Sequence, residues 1–185
     1  MISFPFWRPS SNATIEAVYG MIVAQARSPD FYRGYGVPDT VTGRFDMIVL
    51  HVVLVLRRLR GLSASTNLPP LGQQIFDRFC QDMDDNFREM GVGDLAVPKE
   101  MKRVAEAFYG RAAVYEAALG DDDGSGGLAR ALARNVYGVA EPSPGAQRLA
   151  DYMKEAEREL ASQDPAAGRV RFPDPTAFIG APGGV

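Results

Sequence analysis

The side chains best spaced to do chemistry together are Arg44, His51 and Arg58, which follow one another at intervals of seven residues. On a helix they share one stripe, with a drift of about 20° per heptad. An imidazole between two guanidinium groups could bind an anion or a carboxylate. One hypothesis is therefore a small-molecule or anion-binding protein, or an enzyme, with a concave pocket lined by these three side chains.

The alternative, which we favour, is that His51 is a core histidine paired inside the fold. Buried polar groups usually have internal partners. The long arginine side chains would then reach solvent from the two ends of the helix.

Other catalytic or metal-binding patterns are missing. One histidine and one cysteine are too few for a zinc site with four nitrogen or sulfur ligands. Residues 82–86 resemble a calcium loop superficially but lack its glycine and its closing glutamate. We expect Cys80, beside Phe79, to be a buried and inert thiol. We therefore predict no catalytic residue, no metal and no cofactor.

The stripe lies on the most apolar segment of the chain. Residues 47–56 contain one polar side chain, that of His51. The many valines favour a strand. However, the apolar pattern continues to Gly61, a common residue just past a helix end, and a strand would lack a good partner. We predict a helix over 42–60 that is buried on nearly all sides and too short to span a bilayer.

Apolar residues at helical spacing predict five further helices, at about residues 12–27, 71–90, 98–119, 128–138 and 145–162. Residues 29–42 are expected to form a short turn followed by a Gly/Pro loop. The predicted fold class is all-α, with a single globular domain of about six helices around the buried central helix.

The 185-residue chain is expected to hold one domain. We predict an irregular segment at 1–10, a helical domain at 11–163 with a flexible acidic linker at 121–127, and an irregular tail at 164–185. No secretory signal is apparent, and a single cysteine fits a reducing compartment, so we expect a cytoplasmic protein. A net charge of −3 does not support generic binding to nucleic acid.

Charge is distributed unevenly along the chain. Residues 40–62 hold four arginines against Asp46, and residues 77–94 hold six acids against Arg78 and Arg88. The two segments either pair with each other inside the fold or form opposite patches of a docking surface.

Several short motifs occur in a distinctive order between residues 17 and 119. They are Gly36-Val37-Pro38-Asp39-Thr40, Gly43-Arg44-Phe45-Asp46-Met47 with His51, the stretch 54–59, Phe76-Asp77 with Asp82-Met83-Asp84, the stretch 88–94, and the stretches 97–99 and 108–110. Together they resemble the assembly chaperone family of ubiquinol–cytochrome c reductase, respiratory complex III.

The resemblance implies a non-enzymatic helical chaperone. Its partner would be newly made cytochrome b or another complex III subunit, with a small partner chaperone or the ribosome as further candidates. It would work at the cytoplasmic face of the inner membrane, in peripheral contact with it. The charged residues inside the matching motifs, together with His51, are the predicted partner-binding set: Arg44, Asp46, His51, Arg57, Arg58, Arg60, Asp82, Asp84, Arg88 and Glu89.

A third hypothesis is a ribosome or RNA contact through the arginine end of the central helix. It predicts binding that depends strongly on salt. The negative net charge of the chain and the acids that flank this helix argue against high affinity.

Overall fold

The computed structural model describes residues 12–63, 69–120 and 126–179. They form seven α-helices and two 3-10 turns, in the order α1 Asn12–Ala26, α2 Pro29–Arg33, α3 Val41–Gly61, α4 Pro70–Glu89, α5 Val97–Gly120, α6 Gly127–Asn135, α7 Pro144–Ala161, then turns at Pro165–Ala167 and Pro175–Phe178. No strand occurs in these three ranges. The predicted all-α fold is confirmed.

The central helix α3 is the core of the molecule. It packs against α1, α4, α5 and α7, and every residue from Met47 to Leu56 is buried. Its start is capped by the Thr40 hydroxyl, which accepts a hydrogen bond from Gly43 N at 3.1 Å. The valines adopt a helix because burial on all sides outweighs their intrinsic preference for strands.

A short helix, α2, replaces the turn expected after Pro29. Pro29 occupies the first helical turn, where a missing N–H costs nothing, and Asp30 favours the positive end of the helix dipole. The five residues of α2 bury Phe31 completely. The residues that the structure describes therefore form seven α-helices, where about six were expected.

Two glycines let helices approach the loop at 34–40. A Cβ on Gly43 would lie 1.9 Å from Pro38 O, and one on Gly145 would lie 2.0 Å from Tyr35 O. Both obstacles are backbone atoms, which cannot rotate away. The starts of α3 and α7 are thus fitted against this loop.

Residues 164–179 pack back onto the domain. The Asp164 and Asp174 carboxylates cap the two 3-10 turns. The Phe172 ring lies 5.0 Å from the His51 ring, and the Phe178 ring lies 5.9 Å from a buried tyrosine of α7.

The predicted segment at 1–10, residues 121–125 of the predicted linker and the last six residues of the predicted tail lie outside the described residues. Among the helices that are described, none has the length and apolarity required to cross a bilayer.

Candidate functional site

One apolar groove opens where three helices meet. Its walls are the start of α3, the second half of α4 and the first half of α5, and Arg27 borders it just after α1. The groove has a volume of about 410 Å³. Its apolar lining comprises Val41, Phe45, Ile48, Met83, Phe87, Met90, Val104 and Ala107. We call it the α3–α5 groove.

The floor of the groove is supported by aromatic packing and by a buried charge. The Phe45 ring lies 6.1 Å from the Phe79 ring. On its other side, the Arg111 guanidinium lies 5.6 Å from the centre of the Phe45 ring, within cation–π distance. The floor is therefore formed by helical side chains packed against the core rather than by a loop.

The mouth of the groove exposes large apolar side chains. Val41 is 69% exposed and Met90 is 54% exposed. Contiguous exposed apolar surface rimmed by polar groups is typical of a site that binds another protein.

Arg44 lies on the rim of the groove, as expected for a partner-binding residue that is exposed. Its Nε donates to Asp39 Oδ1 at 2.7 Å, and its guanidinium lies 5.6 Å from the centre of the Tyr32 ring. The Asp39 carboxylate is the main reason that the pKa of Arg44 is raised.

The charged residues of α4 flank the groove rather than line it. Asp82 accepts a hydrogen bond from the Tyr19 hydroxyl at 2.8 Å. Arg88 bridges Asp84 at 2.6 Å and Asp94 at 2.5 Å. Glu89, the last residue of α4, is exposed.

The two oppositely charged segments do not pair with each other in the ion pairs of the described residues. The partners of the α3 arginines come from the preceding loop, from α5 and from α7. Those of the α4 acids come from α4 itself. The first of the two alternatives for these segments is therefore wrong.

Asp46 is buried, so it cannot contact a partner directly, as the predicted partner-binding set required. Its side chain is 1% exposed, and Oδ1 lies 2.8 Å from Nη2 of Arg111. Burial raises the pKa of Asp46 to about 6, although Arg111 opposes the shift. The pair joins α3 to α5, and Arg111 also contacts the Phe45 ring that lines the groove.

His51 is fully buried in a chain of hydrogen bonds. Its Nδ1 lies 2.7 Å from Met47 O, and its Nε2 lies 2.8 Å from the Tyr152 hydroxyl. A carbonyl can only accept, so Nδ1 carries the proton and the Tyr152 hydroxyl donates to Nε2. Gln25 donates to the same hydroxyl at 3.0 Å. His51 is thus a paired core histidine, as favoured above, and cannot touch a partner directly.

The hypothesis of an arginine–histidine–arginine pocket is wrong. Arg44 borders the α3–α5 groove, Arg58 borders a different cleft, and His51 lines neither. The reason is that α3 is surrounded on all sides, so the stripe between its two ends is sealed by the Phe31, Tyr152 and Phe172 rings.

The three arginines at the end of α3 tie this end to other elements. Arg57 Nε donates to Glu157 of α7 at 2.5 Å, Arg58 Nε donates to the carbonyl of Gln163 at 2.7 Å, and Arg60 pairs with a glutamate of α5 through both guanidinium ends. Positive charge at a helix C-terminus is favourable in itself. The side chains of Arg57, Arg58 and Arg60 border a cleft of about 410 Å³ between α3 and α7.

Cys80 is partly exposed rather than buried. Desolvation, with a smaller contribution from Asp77, raises the pKa of its thiol, which makes it a poor nucleophile at neutral pH. Within the described ranges, no cluster of three or more histidine, cysteine or carboxylate side chains could hold a metal ion.

Sequence reasoning missed Arg27, Val41 and Arg103 as groove residues. Arg27 follows α1, Val41 begins α3 and Arg103 lies on α5, and only the packing of the helices brings them together. The one available signal was the apolar stripe of α4, which continues to Met90 at the end of the helix, where fewer neighbours can cover it.

An exposed apolar groove in an all-helical domain is typical of a binding protein, whose ligand is another protein or a smaller molecule. Residues 33–172 match the family described as Ubiquinol-cytochrome C chaperone. The match covers well over half of the chain, and the protein belongs to this family. The resemblance of the sequence motifs is thereby confirmed. Family membership makes the protein an assembly chaperone of ubiquinol–cytochrome c reductase and implies binding rather than catalysis.

A solved structure supports the same assignment. The chain is similar to the Cbp3 homolog from Brucella abortus, with 39% sequence identity and a TM-score of 0.79. The similarity covers 90% of this chain and 92% of that one. None of the curated proteins compared with the chain matches it.

Proposed function

We propose that the protein holds newly made cytochrome b by seating an apolar segment of it in the α3–α5 groove. The observation that carries this proposal is the exposure of Val41 and Met90 at the mouth of a groove with a rigid aromatic floor. An unassembled membrane subunit offers the matching chemistry, because its apolar segments have no partner until assembly.

The charged residues around the groove would orient this client. Arg44 lies on the rim, and Asp84, Arg88 and Glu89 flank it at the end of α4. Exposed charges speed and steer an encounter more than they strengthen it. We assign these four residues to capture of the client and the apolar lining to its retention.

The cleft beside Arg57 and Arg58 is a second candidate contact. Three arginines border it, so it could meet a second part of the client or an anionic surface such as the ribosome. It carries less weight, because none of its described lining residues is a large exposed apolar side chain.

We also propose that the protein acts at the cytoplasmic face of the inner membrane. A chaperone that receives a membrane subunit as it is made must be close to the site of insertion. Fractionation of cells into cytoplasm and membranes, with and without synthesis of cytochrome b, would test this placement.

The test of the client proposal is complementation of a strain that lacks the gene. A variant with Val41→Asp and Met90→Lys charges the mouth of the groove at two exposed positions, with signs that suit the adjoining helix ends. We expect it to remain folded by circular dichroism and to restore little assembled complex III or cytochrome b haem absorbance.

The matched control is Val114→Asp, which charges an exposed apolar side chain on α5 outside the groove. It should restore complex III fully. Normal complex III in the deletion strain itself would overturn the chaperone role, and full rescue by the doubly charged variant would overturn the groove as the client site.

A further inference from the structure

Among the side chains that line the α3–α5 groove, positive charges outnumber negative ones. Three arginines and one glutamate are among its lining residues: Arg27, Arg44, Arg103 and Glu100. A groove with low-dielectric apolar walls strengthens the field of the charges on its rim. A charge on this rim that has no partner inside the fold therefore favours an occupant with the opposite charge next to its apolar side chains.

Two of the three arginines are already neutralised. Arg44 is held by Asp39 at 2.7 Å. Arg103 is held by Glu100 at 2.8 Å, through both carboxylate oxygens. Neither guanidinium can turn to a new carboxylate without breaking an existing ion pair.

Arg27 is different. It forms no ion pair and no side-chain hydrogen bond with any residue in the part of the chain that the structure describes. It follows the last residue of α1, where its backbone N–H bonds to Val23 O. A cation at a helix end is mildly stabilising, but this does not require the side chain to border an apolar groove. Its charge is available to a bound partner.

The size of the groove limits how much of a partner it can bind. A volume of about 410 Å³ is at the low end for a ligand pocket. It holds a few apolar side chains and not a whole membrane-spanning helix. The recognised element is thus a short motif, with apolar side chains and a carboxylate close enough to reach the rim.

Resting on the proposed function, we infer that the client segment is an apolar helical motif bearing an Asp or Glu, and that Arg27 receives this carboxylate. Such a preference gives specificity, because cytoplasmic loops of membrane proteins are enriched in Lys and Arg. The unpaired charge of Arg27 repels those basic segments and selects the acidic one.

The inference is tested with three synthetic helical peptides of about 18 residues, long enough to form a helix. They share one apolar stripe and carry Glu, Gln or Lys beside it. Binding to the full-length protein is measured by fluorescence anisotropy at low and high salt. We expect the Glu peptide to bind about five times more tightly than the Gln peptide, and the Lys peptide to bind most weakly. High salt should shrink these differences.

The decisive variant reverses the charge of Arg27 on the rim of the groove. Arg27→Glu should invert the order of the three peptides, whereas Arg134→Glu, at an exposed position on α6 that does not line the groove, should leave it unchanged. Equal binding of the three peptides, an order that survives Arg27→Glu, or no binding by any of them overturns the inference. The proposed function is judged separately, by whether groove variants restore complex III in cells.

Discussion

At the scale of single residues, α3 buries two ionisable groups whose pKa values shift towards the neutral form. Desolvation lowers the pKa of His51 to about 4, against the opposing hydrogen bond to Met47. Desolvation also raises the pKa of Asp46 to about 6, against the opposing charge of Arg111. Because one group is a base and the other an acid, their effects on stability run in opposite directions with pH.

The histidine effect can be isolated with His51→Gln. Between pH 6.5 and 4 the unfolded chain binds a proton at His51 that the folded protein does not, so this residue makes the protein less stable as the pH falls. We expect the difference in unfolding free energy between wild type and His51→Gln to shrink by about 3 kcal/mol from pH 7.5 to pH 4. Urea unfolding across this range measures it.

Asp46→Asn is the matched control, because the pH dependence of stability that it removes has the opposite sign. The folded protein binds a proton at Asp46 between pH 3.8 and about 6, whereas the unfolded chain does not, so this residue makes the protein less stable as the pH rises. The difference in unfolding free energy between wild type and Asp46→Asn should therefore shrink as the pH rises. If the difference in unfolding free energy between wild type and variant did not change with pH for either variant, the burial of both groups would be contradicted.

The sequence could predict that His51 belongs to the core, but not the identity of its partner. The apolar run around it was visible locally. Tyr152 lies 101 residues further along the chain, and no local pattern links two residues at such a distance. The same holds for Asp46, whose burial depends on Arg111 being brought to it by α5.

At the scale of elements, α3 could be predicted because its own residues are almost all apolar, and such a segment is expected to be buried. The helix was expected at 42–60 and runs over Val41–Gly61. The helix α2 could not be predicted, since its five residues make little more than one turn and show no periodicity. Its helical state depends on the burial of Phe31 against α3 and α7.

Close packing at the start of α3 predicts a strong effect of one methyl group. Gly43→Ala places a Cβ against Pro38 O, so the loop before α3 must move, and we expect a loss of roughly 2 kcal/mol or more in unfolding free energy. Gly110→Ala, in the middle of α5 with nothing within 4 Å of the added Cβ, should instead gain up to about 1 kcal/mol from its better helix propensity.

Chemical unfolding of the two variants beside wild type provides the comparison. If both glycine variants changed stability in the same direction and by similar amounts, the close approach of α3 to the loop at 34–40 would be contradicted. Gly43→Ala should also reduce complementation, because Val41 and Phe45 of the groove lie within two residues of it.

At the scale of the whole molecule, the fold class and the family could be predicted from the sequence, whereas the groove could not. Helical periodicity and motif order are properties of the linear chain. The groove exists because α3, α4, α5 and the end of α1 meet at certain angles, and these angles result from the packing of many side chains. For this reason the predicted charged residues are divided between the groove, its surroundings, the core and a second cleft, and most of the apolar lining of the groove went unassigned.

The most direct test of the account is site-specific photo-crosslinking in cells that synthesise cytochrome b. A photoreactive residue is placed at Met90 in the mouth of the groove, or at Val114 on the outer face of α5, both of which are exposed. We expect position 90 to capture newly made cytochrome b and position 114 not to capture it. Capture of cytochrome b by position 114 alone, or by neither position in cells that still assemble complex III, would contradict binding of the client in the α3–α5 groove.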